Sequence, residues 1–180
     1  MIRKLLHIKL SLIFLLLCIA SSSFAQNSLV GSLAPEFKLQ DQNGQWHTLE
    51  KYKGKWLVVY FYPKDDTPGC TTEAKNFRDR FAQFQELDTH LIGVSLDDIE
   101  SHKEFADIYK LPFPLLADVN QTMSKSYGVL GGFGPLKYAK RQTFIIDGNG
   151  NIVFHFEEVV PEEHANAVIE KLQQLQKDLT

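Results

Sequence analysis

The chain has 180 residues, 44% of them hydrophobic and 23% charged, which is ordinary for a globular protein and enough for one domain with a packed core. Its formal net charge is −3, with no basic patch or arginine-rich run, so no nucleic-acid partner is expected.

The first 25 residues differ from the rest. Arg3, Lys4 and Lys9 give a basic start, residues 10–20 are apolar except for Ser11, and Ser23-Phe24-Ala25 places small residues at a peptidase site. This three-part layout reads as a secretory signal cleaved after Ala25. The apolar run falls short of the ~20 residues of a membrane span, so no stable membrane insertion is expected after cleavage. An uncleaved anchor is the alternative. A lipid-bearing Cys18 is disfavoured, because Leu17 stands where lipoprotein signals need a small residue. The expected organisation is a signal, 1–25, and one domain, 26–180, exported, and periplasmic in a cell with two membranes. Cleavage leaves 16 Lys and Arg against 22 Asp and Glu, and it removes Cys18. Cys70 is then the one cysteine of the mature chain, which cannot form an internal disulfide.

No repeat or linker divides residues 26–180. Residues 37–40 and 45–49 read as short strands around the Asp41-Gln42-Asn43-Gly44 turn. Residues 56–62 (WLVVYFY) form a continuous apolar run suited to a strand buried on both faces, ended by Pro63. Ala74, Phe77, Phe81, Phe84 and Leu87 recur at helical spacing and predict one helix over 71–87. Residues 91–96 are a strand, and 98–109 a helix with Ile99, Phe105 and Ile108 inward. A short strand, 114–117, and a short helix, 121–127, come next. Within the glycine cluster 128–134, Gly131-Gly132-Phe133-Gly134 reads as a mobile loop before the Arg141 strand. Residues 141–147 and 151–156 are strands joined by Gly148-Asn149-Gly150, and Pro161 opens a last helix carrying Ala165, Val168, Leu172, Leu175 and Leu179. The order predicts an α/β sandwich around a mixed sheet, parallel in its early part and antiparallel at the hairpin.

Cys70 falls between the buried strand and the first long helix. Counted alone, a lone cysteine suits an inert core thiol as well as a reactive one. Its neighbours, Pro68-Gly69 before and Thr71-Thr72-Glu73 after, set it at a strand-to-helix junction, where α/β sheets gather their sites. The free N–H groups and positive dipole end of a helix stabilise a thiolate there.

Residues 63–70, Pro63-Lys64-Asp65-Asp66-Thr67-Pro68-Gly69-Cys70, match the P-x-x-x-T-x-x-C motif of peroxiredoxins, and Cys70-Thr71-Thr72-Glu73 extends it as in the bacterioferritin comigratory protein, or peroxiredoxin Q, branch. Gly31 to Phe37, Gly93-Val94-Ser95-Leu96-Asp97, Leu115-Leu116-Ala117-Asp118, Tyr127-Gly128-Val129 and Arg141-Gln142-Thr143-Phe144 follow in that branch's order. The resemblance implies a thioredoxin-like fold, a mixed central sheet flanked by helices, and thiol-dependent reduction of hydrogen peroxide and organic hydroperoxides in antioxidant defence. By the same likeness Cys70 is the peroxidatic cysteine, Thr67 bonds the thiolate and the peroxide, Arg141 polarises the peroxide, Pro63 shields the pocket and Glu73 orients the arginine.

The chemistry fits these residue types. An ordinary thiol of pKa ~8.5 is ~3% ionised at neutral pH, so complete ionisation gains at most about thirtyfold, or ~2 kcal/mol. The larger share of catalysis must come from groups matched to the charge moving onto the leaving oxygen. One departure from the branch bears on turnover: many members carry a resolving cysteine five residues after the first, where this chain has Lys75. The resemblance is therefore to one-Cys peroxiredoxins, reduced by an external thiol from a thioredoxin-like protein or a small molecule, in a monomer or homodimer. A thiol–disulfide oxidoreductase needs a C-x-x-C pair, and Thr67 occupies its first slot. A non-enzymatic redox sensor on the same scaffold is the other alternative.

No cofactor or metal is expected. The six histidines lack metal-ligand spacing, and Ile152 stands where a calcium loop beginning at Asp147 needs glycine. Trp46, Trp56 and Tyr60-Phe61-Tyr62 read as core.

Overall fold

The computed structural model describes residues 28–178; the predicted signal, Cys18 and Leu179 lie outside the described residues. In chain order, the hairpin β1 (Lys38–Gln40) and β2 (Trp46–Thr48) leads through a 3-10 turn, Leu49–Tyr52, into β3 (Trp56–Phe61). Helices α1 (Pro68–Asp79) and α2 (Phe81–Glu86), strand β4 (Thr89–Ser95), helix α3 (Ile99–Tyr109), strand β5 (Leu115–Ala117) and helix α4 (Thr122–Ser126) follow. The chain then forms the hairpin β6 (Leu130–Phe133) and β7 (Leu136–Ala139), the strands β8 (Gln142–Ile146) and β9 (Ile152–Phe156), and α5 (His164–Lys177).

The central sheet has the order β5-β4-β3-β8-β9. β3, β4 and β5 are parallel, while β8 runs antiparallel to β3 and β9 antiparallel to β8. This is the mixed, thioredoxin-like arrangement expected. β3 lies at its centre, so its side chains are buried on both faces and alternate between two cores. Leu57, Val59 and Phe61 pack with Leu39, Tyr127, Val129 and Phe144 on one face. Val58, Tyr60 and Tyr62 pack with Cys70, Phe77, Phe84, Phe105 and Val168 beneath the helices on the other. The period of two along a strand thus assigns Cys70 to the helical side.

Five expectations change. The helix over 71–87 is two helices, broken at Arg80 (φ −112°, ψ 9°), and the first begins at Pro68, whose missing N–H has no partner to lose there. The last helix starts at His164, after a turn closed by the Glu163 N–H to the Val160 carbonyl. Ile108 is 55% exposed, and α3 instead buries His102, Phe105 and Ala106, a stripe one helical turn long. Trp46 is also 55% exposed, lying under the Lys38 ammonium, 5.1 Å from the ring centre. The glycine cluster is not a loop but supplies β6 of a hairpin. There Gly132 has φ +116°, and a Cβ would lie 1.9 Å from the Leu136 carbonyl oxygen, so only glycine fits.

Candidate active site

Local sequence sets the start of α1. Thr67 precedes proline and is held extended (φ −86°, ψ 149°), as a pre-proline residue prefers. Its carbonyl accepts the first helical bond, from the Thr71 N–H at 2.8 Å. Cys70 is therefore the third helical residue, within the first turn, where backbone N–H groups have no partner inside the helix. Cys70, Glu73, Ala74 and Phe77 form the buried stripe of α1, at the spacing that puts side chains on one face. Cys70 is only 1% exposed.

Arg141 reaches this turn from the neighbouring strand. Gln142, the first residue of β8, pairs with Phe61, the last of β3, so Arg141 stands beside the chain leaving β3. Its Nη2 donates to Cys70 Sγ at 3.1 Å, and its Nη1 donates to Glu73 Oε2. One guanidinium thus spans the thiol and a carboxylate one helical turn further on. Gly69 makes room for it, since a Cβ there would approach Nη2 to 3.3 Å.

Behind this pair lies a polar cluster with little solvent. Burial pushes the Glu73 carboxyl up to about 7, with Arg141 opposing the rise. Glu73 Oε1 has no hydrogen-bond partner, and His164 Nε2 lies 3.9 Å from it. His164 Nε2 shares a 2.8 Å hydrogen bond with Thr143 Oγ1, and its ring meets Phe77 and Phe156 edge-on. Burial, reinforced by the Arg141 charge, pushes His164 down to about 4, so it is neutral at neutral pH. Burial also disfavours the Arg141 charge, but Glu73 and Cys70 more than restore it. The permanent cation of the site is therefore aimed at sulfur, where it is placed to stabilise a negatively charged transition state.

Of the five residues singled out from sequence, Cys70, Arg141 and Glu73 are brought into direct contact. Thr67 caps the helix by position, and its hydroxyl donates to the Lys64 carbonyl at 3.0 Å. Pro63 lies half-buried at the end of the β3 run. The position of the missing resolving cysteine, Lys75, is exposed on α1. Sequence reasoning missed Thr143, His164 and Asp65. Asp65 is buried and accepts from the Tyr62 hydroxyl at 2.7 Å and from Ser101 Oγ and His102 Nδ1, each at 2.8 Å. Histidines separated by whole elements carry no local signal, and Asp65 sits in a polar run that reads as a turn.

A buried thiol under an arginine, in the first turn of a helix packed on a mixed sheet, defines a thiol site on a thioredoxin-like fold. The chain belongs to the AhpC/TSA family, whose model matches residues 30–155. It is 45% identical over 147 residues to a putative chloroplastic peroxiredoxin Q of Oryza sativa subsp. indica, covering 81% of this chain and 67% of that one. It is 41% identical over 166 residues to the chloroplastic peroxiredoxin Q of Populus jackii, covering 88% and 77%. Among solved structures it resembles the peroxidoxin BcpB of Mycobacterium tuberculosis, with TM-score 0.76, 32% identity and coverage of 81% and 96%. It also resembles Xanthomonas campestris peroxiredoxin Q, with TM-score 0.73, 32% identity and coverage of 77% and 90%.

Proposed function

We propose that the chain is a thiol-dependent peroxidase acting through Cys70 alone. The observation that carries this reading is the 3.1 Å contact of Arg141 Nη2 with Sγ in the first turn of α1. The thiolate attacks the terminal oxygen of a hydroperoxide. An S–O bond forms, the O–O bond breaks, and the departing alkoxide or hydroxide takes a proton from water. Arg141 stabilises charge on both the sulfur and the peroxide oxygens, Thr67 bonds the peroxide, Pro63 shields the pocket, and Glu73 holds the guanidinium in plane.

Cys70 is the one cysteine among the described residues. Its sulfenic acid therefore condenses with an external thiol, releasing water. A second thiol attacks that mixed disulfide, returning Cys70 and releasing the oxidised reductant. The reductant is a thioredoxin-like protein or a small thiol, and the enzyme works as a monomer or homodimer. Among the described residues no helix is long and apolar enough to cross a membrane. The basic, apolar and small-residue pattern of residues 1–25 supports export and maturation after Ala25. Purified protein mixed with peroxide and a thiol tests the reading. Wild type is expected to consume peroxide catalytically and Cys70→Ser to be inert; equal slow consumption by both sinks it.

A further inference from the structure

The loop that delivers Cys70 to its site, residues 63–67, has no regular structure, yet α3 grips it at successive residues. The Asp65 carboxylate is buried, 6% exposed, and saturated: Oδ1 accepts from the Tyr62 hydroxyl, and Oδ2 accepts from Ser101 Oγ and His102 Nδ1. The Asp65 backbone N–H donates to Asp97 Oδ2 at 2.9 Å, and Ser95 Oγ donates to the same oxygen at 2.6 Å. Asp66 is held in the left-handed region (φ +54°), and its Oδ1 accepts from the Tyr109 hydroxyl at 2.7 Å. The Thr67 hydroxyl closes back on the Lys64 carbonyl.

Tyr109 lies about two turns along α3 from the adjacent pair Ser101 and His102, so a single helix fixes two adjacent loop residues. Burying a carboxylate costs free energy unless its lone pairs are filled, and here three donors fill them. A surface turn needs no such arrangement. The loop's next residue is Thr67, whose carbonyl starts α1, and three residues later comes Cys70, which must meet an arginine carried on a different strand. No hydrogen bond joins an α3 side chain to Cys70 or Arg141 among the described residues.

We propose that Asp65, clamped by Ser101 and His102, is a positioning residue for peroxide reduction, fixing the Thr67–Cys70 turn against Arg141. The inference rests on the peroxidase reading and extends it to residues outside the reacting group. Misplacement of about 1 Å at a reacting centre costs on the order of a hundredfold.

The test compares two rates on the full chain. One is single-turnover oxidation of Cys70 by hydrogen peroxide, which needs the aligned arginine and threonine. The other is alkylation of Cys70 by iodoacetamide, which needs only a reachable thiolate. Asp65→Ala is expected to lower the peroxide rate by about 30–100-fold while alkylation holds steady or quickens. Asp65→Asn, which keeps one acceptor oxygen and can reorient its partners, is expected to return to within about threefold of wild type. Should Asp65→Ala fail to fold, Ser101→Ala and Tyr62→Phe each remove one hydroxyl from the Asp65 carboxylate, and each is expected to lower the peroxide-to-alkylation ratio by about 3–10-fold. An unchanged ratio in the folded variants overturns the proposal, because a purely structural role would lower the melting temperature without changing the ratio. Failure of the peroxidase reading is separate: wild type itself would then react with peroxide no faster than an ordinary thiol.

Discussion

Replacing Arg141 with methionine separates the two jobs assigned to its guanidinium. Loss of the contact to Sγ removes a charged donor from the reacting centre, and one such donor is worth about 10²–10³ in rate, or about 2.7–4 kcal/mol. The substitution also strands Glu73, but protonation limits that damage. Burial already pushes the carboxyl up to about 7, and losing the guanidinium that opposes this shift pushes it further, so near neutral pH Glu73 takes up a proton at a cost of no more than about 1 kcal/mol. The variant should therefore fold, and methionine keeps much of the lost volume. Quenched-flow mixing with hydrogen peroxide, read by intact mass, gives the oxidation rate at pH 7 and pH 9.5. If Arg141 served only to ionise the thiol, the defect would be at most about thirtyfold and would vanish at the higher pH, where an ordinary thiol is ionised anyway. The expected defect is about 10²–10³ at pH 7, of which at least tenfold persists at pH 9.5. Recovery to within threefold of wild type at pH 9.5 would refute a transition-state role for Arg141.

Two further variants probe the surroundings of that contact. Gly69→Ala adds a methyl 3.3 Å from Arg141 Nη2 inside a helix, so stability should hold or rise by up to ~1 kcal/mol while peroxide oxidation slows about tenfold; an unchanged rate would show that the arginine has slack. Glu73 and His164 predict opposing pH dependences of stability. Glu73 keeps, from about pH 4.5 to 7, a proton the unfolded chain releases, so its contribution to stability falls as pH rises through that window. His164 refuses, from pH 6.5 down to about 4, a proton the unfolded chain binds, so its contribution is full above 6.5 and lost as pH falls toward 4. The two slopes nearly cancel in wild type between pH 4.5 and 6.5. In Glu73→Gln only the histidine slope remains, and urea unfolding should show that variant gaining about 2–3 kcal/mol relative to wild type between those pH values. Parallel curves for the two proteins would contradict the burial argument.

How much of this was legible in the sequence depends on how local each cause is. The central strand was plain because five consecutive apolar residues, Leu57 to Phe61, have no solvent-facing side and so no alternation to confuse. The junction at Cys70 was legible because Pro68 and Gly69 punctuate the chain between the buried strand and the helical run, although the helix starts earlier than that run, at Pro68. The break at Arg80 was invisible because Phe77, Phe81 and Phe84 keep helical spacing through it. Ile108 misled for the opposite reason. Periodicity ranks residues by hydrophobicity, but α3 turns inward the face that carries His102, since Asp65 offers that ring a charged partner. Polar residues that are buried to hold one another are thus misread by any rule that equates core with apolar. Thr143, His164, Asp65 and His102 are all of this kind. A site that needs fixed polar geometry in a dry setting will be least legible in its supporting residues and most legible at its reacting atom. That is the pattern here: Cys70 is marked by its own neighbours in the chain, and the buried polar groups become apparent only when β8, α3 and α5 are packed together.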